Sequence, residues 1–205
     1  MKNTFRPLVM VLAIVLILAS VGIPVGAQGG IEDGTTSTGE VQSLQGAGAN
    51  AAVPGGPGFI MVHPTAFIPM LSTWDYAFGS GGSLYNPGSS DSYYEAAVNL
   101  PHGAKITKVV VYYYDDISTE DIWVVLVGIS MDEPELRILA QFATSGADPT
   151  NRVMEDTTIT ADTIDNQSYA YWIEVYIPGS QSLNLIFRGI RIDYSFPVNL
   201  PLINK

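Results

Sequence analysis

His63 and His102 are the only imidazoles in the chain, and it has no cysteine. Any imidazole base or histidine-ligated metal therefore depends on one of these two residues. His63 precedes Pro64 in a broken strand-like segment, and His102 lies in the turn Leu100-Pro101-His102-Gly103. Neither shows the paired-histidine spacing of a metal site. The chain has no Gly-x-Ser-x-Gly elbow and no thiol, which argues against nucleophilic catalysis by serine or cysteine. No catalytic residue of these classes is expected.

Carboxylates are better supplied. Asp115, Asp116, Glu120 and Asp121 place four acids in one short stretch between two apolar runs. Calcium takes hard oxygen ligands, so a weak calcium site at these four is the only cofactor expected. The D-x-[DN]-x-[DN]-G loop is absent, and a solvated turn whose charges discourage edge pairing accounts for the same residues. Glu95, Glu174 and Asp193 fall in or beside predicted strands. A glycosidase needs two carboxyl groups about 5 to 9.5 Å apart across a cleft, and a polysaccharide hydrolase would draw its pair from these acids.

The aromatics are the remaining chemical signal. Tyr112, Tyr113 and Tyr114 in one strand must point alternately to opposite faces. If Tyr112 and Tyr114 pack inward with Val110, Tyr113 faces solvent. By the same alternation Tyr169 and Tyr171 share one face, while Trp172 and Tyr176 share the other. Rings left at a surface suit sugar stacking or association with another subunit, so Tyr113, Trp172 and Tyr176 are the candidate ligand-binding residues. A core and a half-buried sheet face would use the same residues without a ligand.

The elements that carry these residues are strands. Ile106 to Tyr114 and Ile122 to Met131 are rich in β-branched and aromatic residues and flank the polar loop Asp115 to Asp121, which predicts a long antiparallel hairpin. Both runs are apolar on both faces, as central strands are. Further strands are predicted at Phe59–Met70 (broken by Pro64 and Pro69), Tyr93–Leu100, Glu135–Thr144, Thr157–Ile164, Ser168–Ile177 and Leu183–Phe196, with Ser145–Asp156 a polar loop. After residue 58 no helical period is sustained. The expected fold is all-β, a single jelly-roll-like antiparallel β-sandwich of about nine strands.

Three segments are expected. Lys2 and Arg6, the apolar run Leu8 to Val21 and the small residues Val25-Gly26-Ala27 predict a secretory signal peptide over 1–27. Residues 28–57 are rich in glycine, serine and threonine and have no aromatic, which predicts a flexible leader. The β-sandwich then occupies 58–205. The expected location is secreted, with no membrane attachment after signal cleavage. The whole-chain charge of −11 becomes −13 once Lys2 and Arg6 are removed. Such a surface repels phosphate backbones and argues against nucleic-acid partners.

The succession Ala97-Val98-Asn99-Leu100-Pro101-His102-Gly103-Ala104-Lys105-Ile106-Thr107, then Tyr112-Tyr113-Tyr114-Asp115-Asp116, Asp165-Asn166-Gln167-Ser168-Tyr169-Ala170-Tyr171 and Gly189-Ile190-Arg191-Ile192-Asp193-Tyr194 resembles a recurrent family of secreted bacterial β-sandwich proteins. The resemblance covers roughly residues 58 to 197. It implies a stand-alone secreted β-domain and no particular activity. Family members usually read Tyr-Asp-Asn where this chain has Asp115-Asp116 after its tyrosines.

The function expected from these features is a secreted, non-enzymatic binding or structural module for extracellular polysaccharide or cell-envelope material. The alternatives are a polysaccharide-acting hydrolase on the same sandwich and a self-assembling surface protein, a homo-oligomer joined through exposed faces or edges.

Overall fold

The computed structural model describes residues 56–133, 135–159 and 163–197. The expected signal peptide and nearly all of the expected leader lie outside the described residues. Eleven strands form two antiparallel sheets and, among the described residues, there is no α-helix. The first sheet contains β1 (Gly58–Val62), β3 (Ala77–Phe78), β4 (Leu84–Tyr85), β6 (Lys105–Asp115), β9 (Asp148–Asp156) and β11 (Leu185–Ser195). Its order is β3-β4-β11-β6-β9, with β1 also paired to β11. The second sheet contains β2 (Ile68–Pro69), β5 (Ser92–Ala97), β7 (Trp123–Ser130), β8 (Leu136–Ala143) and β10 (Tyr169–Ile177), in the order β2-β5-β10-β7-β8.

From β4 to β11 the chain changes sheet at every connection except β7 to β8. That winding is a jelly roll, as the strand pattern predicts. The predicted pairing of its two central strands is wrong, however. β6 pairs with β11 and β9, and β7 pairs with β10 and β8, so the two apolar runs are not a hairpin. They belong to different sheets and both supply side chains to the shared core. A short polar loop suits either a hairpin or a step between sheets stacked about 10 Å apart, and the sequence between Tyr114 and Ile122 does not distinguish them. Both strands are nonetheless central, which accounts for their apolar character on both faces.

The core is filled from the inward side of each strand. Val109, Val111 and Tyr113 of β6 and Val124 and Leu126 of β7 belong to it, as do Tyr171, Ile173, Val175 and Ile177 of β10. From β11 come Leu185, Phe187, Ile190, Ile192 and Tyr194, whose change of phase is made by a bulge between Phe187 and Gly189. Phe187 meets Phe67 edge to face at 5.0 Å. Fully burying each aliphatic or Phe side chain contributes about 1.5–3 kcal/mol, and with no cysteine the packing must hold the fold unaided.

Two local expectations are corrected. Strand β9 occupies Asp148–Asp156, most of the segment predicted to be loop, while 157–159 is not strand. As an edge strand β9 needs little apolar patterning and tolerates Pro149; its order comes from the ladder to β6. The turn before β6 closes through the Ala104 N–H donating to the Pro101 carbonyl at 3.1 Å, one residue later than predicted. Gly103 stands at its third position with φ +75°, which type II geometry requires and a type I turn does not.

Candidate ligand-binding face of the second sheet

Alternation along β10 decides which side chains reach the surface. Tyr171, Ile173, Val175 and Ile177 face the core, so Trp172, Glu174 and Tyr176 stand on the outer face of the second sheet. The register then orders their neighbours into rows. Tyr176 lies between Tyr93 of β5 and Trp123 of β7; Glu174 between Glu95 and Val125; Trp172 between Ala97 and Val127. The Glu174 row extends to Ile68 of β2 at one end and Gln141 of β8 at the other. Same-face residues are about 7 Å apart along a strand. The carboxyl row therefore sits midway between Trp172 and Tyr176, which are about 13 Å apart.

The Tyr176 row is an aromatic ridge. The Tyr93 ring is 5.0 Å from Tyr176 and 5.4 Å from Trp74, which reaches the face from the loop before β3. The Tyr176 hydroxyl donates to Asp91 Oδ2 at 2.8 Å, and the other oxygen of Asp91 accepts from the Gly179 N–H at 3.0 Å. Burial, and then the Asp91 carboxylate that the phenol already bonds, raise the Tyr176 pKa well above that of a free tyrosine. Burial raises Tyr93 too, with Glu174 and Asp91 adding to it. Trp74, Tyr93, Trp123, Trp172 and Tyr176 are all half-buried.

Glu174 is the anomaly of the face. It is 0% exposed, and neither carboxyl oxygen has a hydrogen-bond partner among the described residues. Burial, with a smaller push from Glu95 opposite, lifts its pKa from 4.5 to about 7. Glu95 is only half-buried. The two acids thus differ in solvation: one wet, the other enclosed by apolar and aromatic neighbours.

Of the residues singled out from sequence, Trp172 and Tyr176 share this face as alternation predicts. Tyr113 does not reach any surface. It is 5% exposed and packs in the core, because β6 turns Val109, Val111 and Tyr113 inward and Val110, Tyr112 and Tyr114 outward, the reverse of the parity assumed. Three consecutive tyrosines carry no mark of which parity is inner, and Val109, Val110 and Val111 fit either. Glu95 and Glu174 are brought together; Asp193 is on the first sheet, where it accepts from Arg191 Nε at 2.6 Å and lies 3.8 Å from Lys108.

The acids after β6 are not assembled as a metal site. Among the described residues no group of three or more histidine, cysteine or acidic side chains is placed to hold a metal ion. Asp115, expected to be a ligand together with Asp116, Glu120 and Asp121, points inward instead. It is 0% exposed, accepts from the Ile117 N–H at 3.0 Å and lies 3.7 Å from Arg152 Nη2. The residues missed were Trp74, Tyr93 and Trp123, the last of which joins the face through its pairing with Tyr176. Tyr93 was available from its spacing of two before Glu95, whereas Trp74 reaches the face from a loop, where no periodicity applies.

No known family profile matches the chain, and neither does any curated protein. Among solved structures, the xylan-binding module CBM15 is 11% identical with a TM-score of 0.46, over 70% of this chain and 100% of that one. The C-terminal CBM6 of a marine laminarinase from Zobellia galactanivorans is 10% identical with a TM-score of 0.43, over 65% of this chain and 98% of that one. The Podospora anserina GH26-CBM35 β-(1,4)-mannanase is 12% identical with a TM-score of 0.41, over 72% of this chain; this chain spans only 29% of it. At such identities and scores, likeness does not extend to ligand or activity. What this chain binds has to be argued from its own face.

Proposed function

We propose that the protein is a secreted glycan-binding module whose ligand lies on the outer face of the second sheet. The observation that carries this reading is the array of Trp74, Tyr93, Tyr176, Trp123 and Trp172 around the Glu95–Glu174 row, on one side of one sheet. Aromatic faces pack on the C–H faces of pyranose rings, and carboxylates accept from sugar hydroxyls. Each ring contributes of the order of 1 kcal/mol beyond area burial, so affinity is moderate and depends on several rings acting together. The signal-like start of the chain supports delivery outside the cell, where such ligands are found.

The test is retention of the full chain on insoluble cellulose, xylan, mannan, chitin and cell-wall fractions, with the supernatant assayed for reducing sugar. Retention on at least one of these, without sugar release and lost in Trp172→Ala/Tyr176→Ala, is the expected result. No retention on any fraction would overturn the proposal.

A second reading has one specific observation in its favour. Glu95 and Glu174 are directly opposed on neighbouring strands, and glycosidases use two carboxyl groups brought within about 5–9.5 Å of each other. With Glu174 holding its proton to about pH 7 and Glu95 open to solvent beside it, the pair includes one member suited to the role of general acid. Release of reducing sugar, abolished by Glu95→Gln and by Glu174→Gln, would establish the hydrolase.

A further inference from the structure

Among the described residues, the charged groups in and beside this aromatic face are acids. Glu95 and Glu174 form its central row; Asp91 bonds Tyr176 at one end, and Glu120 lies near enough to raise the Tyr176 phenol further. The other positions in the central row are Ile68, Val125 and Gln141. The rows on either side hold Tyr93, Tyr176, Trp123 and Ala143, and Ala97, Trp172, Val127 and Ile138. No basic residue stands in any of the three. Arg137 of β8 is engaged elsewhere, its guanidinium 4.6 Å from the Tyr169 ring centre.

Electron-rich rings surrounding two opposed acids, one of them buried with no hydrogen-bond donor, make a site short of a cation. A sugar with only hydroxyls offers neutral donors and does nothing to offset the push of Glu95 against ionisation of Glu174. An ammonium group donates to Glu95, favours the ionised form of Glu174 beside it and is attracted by the rings. Glu95 is the member open to solvent and able to touch a ligand, and the buried Glu174 stands directly beside it across the ladder. We propose that the Glu95–Glu174 pair recognises the protonated amine of a deacetylated hexosamine chain, with Trp172 and Tyr176 against the sugar rings on either side. This rests on the glycan-binding reading and narrows its ligand to aminoglycans of the glucosamine type.

The proposal also fixes a pH dependence. Burial holds the proton on Glu174 up to about pH 7, so below that pH a bound cation must expel it. Affinity for a ligand of fixed charge then rises about tenfold from pH 6 to pH 8, levelling off above.

Calorimetry on the full chain with β-linked glucosamine hexamer and with its fully N-acetylated counterpart tests the preference. The N-trimethylated hexamer, whose charge does not titrate, tests the pH profile. The expected result at pH 6.5 and low salt is at least tenfold tighter binding of the amine form. That ratio collapses towards one in Glu174→Gln and in Glu95→Gln, and the pH dependence disappears in Glu174→Gln. Equal binding of amine and acetylated hexamers would overturn the inference and leave glycan binding standing. A preference surviving in both glutamine variants would also overturn it, because the cation would then be held by the general acidity of the surface. Failure to bind either hexamer or any other glycan would remove the underlying reading as well.

Discussion

Glu174 of β10 stands directly across the ladder from Glu95 of β5, and water is excluded from Glu174 but not from Glu95. Like charges opposed on neighbouring strands destabilise a sheet, and a buried carboxylate without donors is worse. The pair persists because Glu174 keeps its proton to about pH 7, chiefly through burial and secondarily through Glu95. A group so held is a stability element at low pH and a liability at high pH.

The sign of this effect is opposite to that of an ordinary salt-bridged acid. In the unfolded chain Glu174 loses its proton near 4.5, whereas the folded protein holds it to about 7. Between those values the folded state binds more protons, so its contribution is fully present below 4.5 and lost as pH rises through 7. The loss is on the order of 3 kcal/mol at 1.36 kcal/mol per unit. Glu174→Gln keeps the shape and removes the ionisation, so the variant should gain on the parent between pH 5 and pH 8 by denaturant melting. Parallel pH profiles for the two would show that Glu174 is already ionised at pH 5.

The two aromatic roles separate by mutation. Tyr113 is core, and large aromatic to alanine changes in a core cost about 3–5 kcal/mol, so Tyr113→Ala should melt far earlier. Refolded material at low temperature should still be retained on glycan. Trp172 is half-buried on the outer face, so Trp172→Ala should lose most retention while its melting temperature moves little. A normally stable Tyr113→Ala protein that loses retention would return Tyr113 to the binding surface.

Sequence and structure agree where the physical signal is local. The strand periods at Ser168–Ile177 and Glu135–Thr144 locate β10 and β8, and alternation from Tyr171 onward places Trp172 and Tyr176 together. Disagreement enters wherever a pairing partner decides. Whether Tyr114 to Ile122 closes a hairpin or crosses the core depends on β10 and β11, which arrive much later in the chain. The strand character of Asp148–Asp156 comes from β6. The closeness of Glu95 and Glu174 is a register fact between strands more than seventy positions apart, so the two acids were legible as candidates and not as a pair. Asp115 looked like a surface ligand because nothing local marks Arg152 as its partner.

Gly189 tests the bulge that re-phases β11. Its φ is +127°, a conformation side chains rarely adopt, and a Cβ there would lie 3.1 Å from the Val62 carbonyl oxygen. Gly189→Ala should therefore destabilise by about 1–3 kcal/mol, the range for a residue held in a sparsely populated backbone region. Urea unfolding at neutral pH measures it. Unchanged stability would mean that the register shift does not depend on this residue.

Asp115 is committed to the fold in a way that bears on calcium. Its buried carboxyl lies 3.7 Å from Arg152 Nη2, and Arg152 also donates to the carbonyl oxygens of Asp115 at 2.8 Å, Gly146 at 2.9 Å and Ser145 at 3.1 Å. The guanidinium lies 5.0 Å from the Tyr113 ring centre, so one arginine ties the end of β6, the loop before β9 and the core together. Arg152 is 21% exposed and keeps its three carbonyl acceptors when the Asp115 charge is removed, so the cost falls below the roughly 3–5 kcal/mol of a fully buried pair. Asp115→Asn should destabilise by about 1–3 kcal/mol, the range for a disturbed hydrogen bond to a charged group. A calcium ion drawing on Asp115 would have to break this arrangement. Micromolar calcium should accordingly leave the melting temperature unchanged, since stabilisation by a ligand needs a concentration well above its dissociation constant. A rise of many degrees at micromolar calcium, absent in Asp115→Asn, would show that the loop rearranges into a metal site and that Arg152 is not the preferred partner of Asp115.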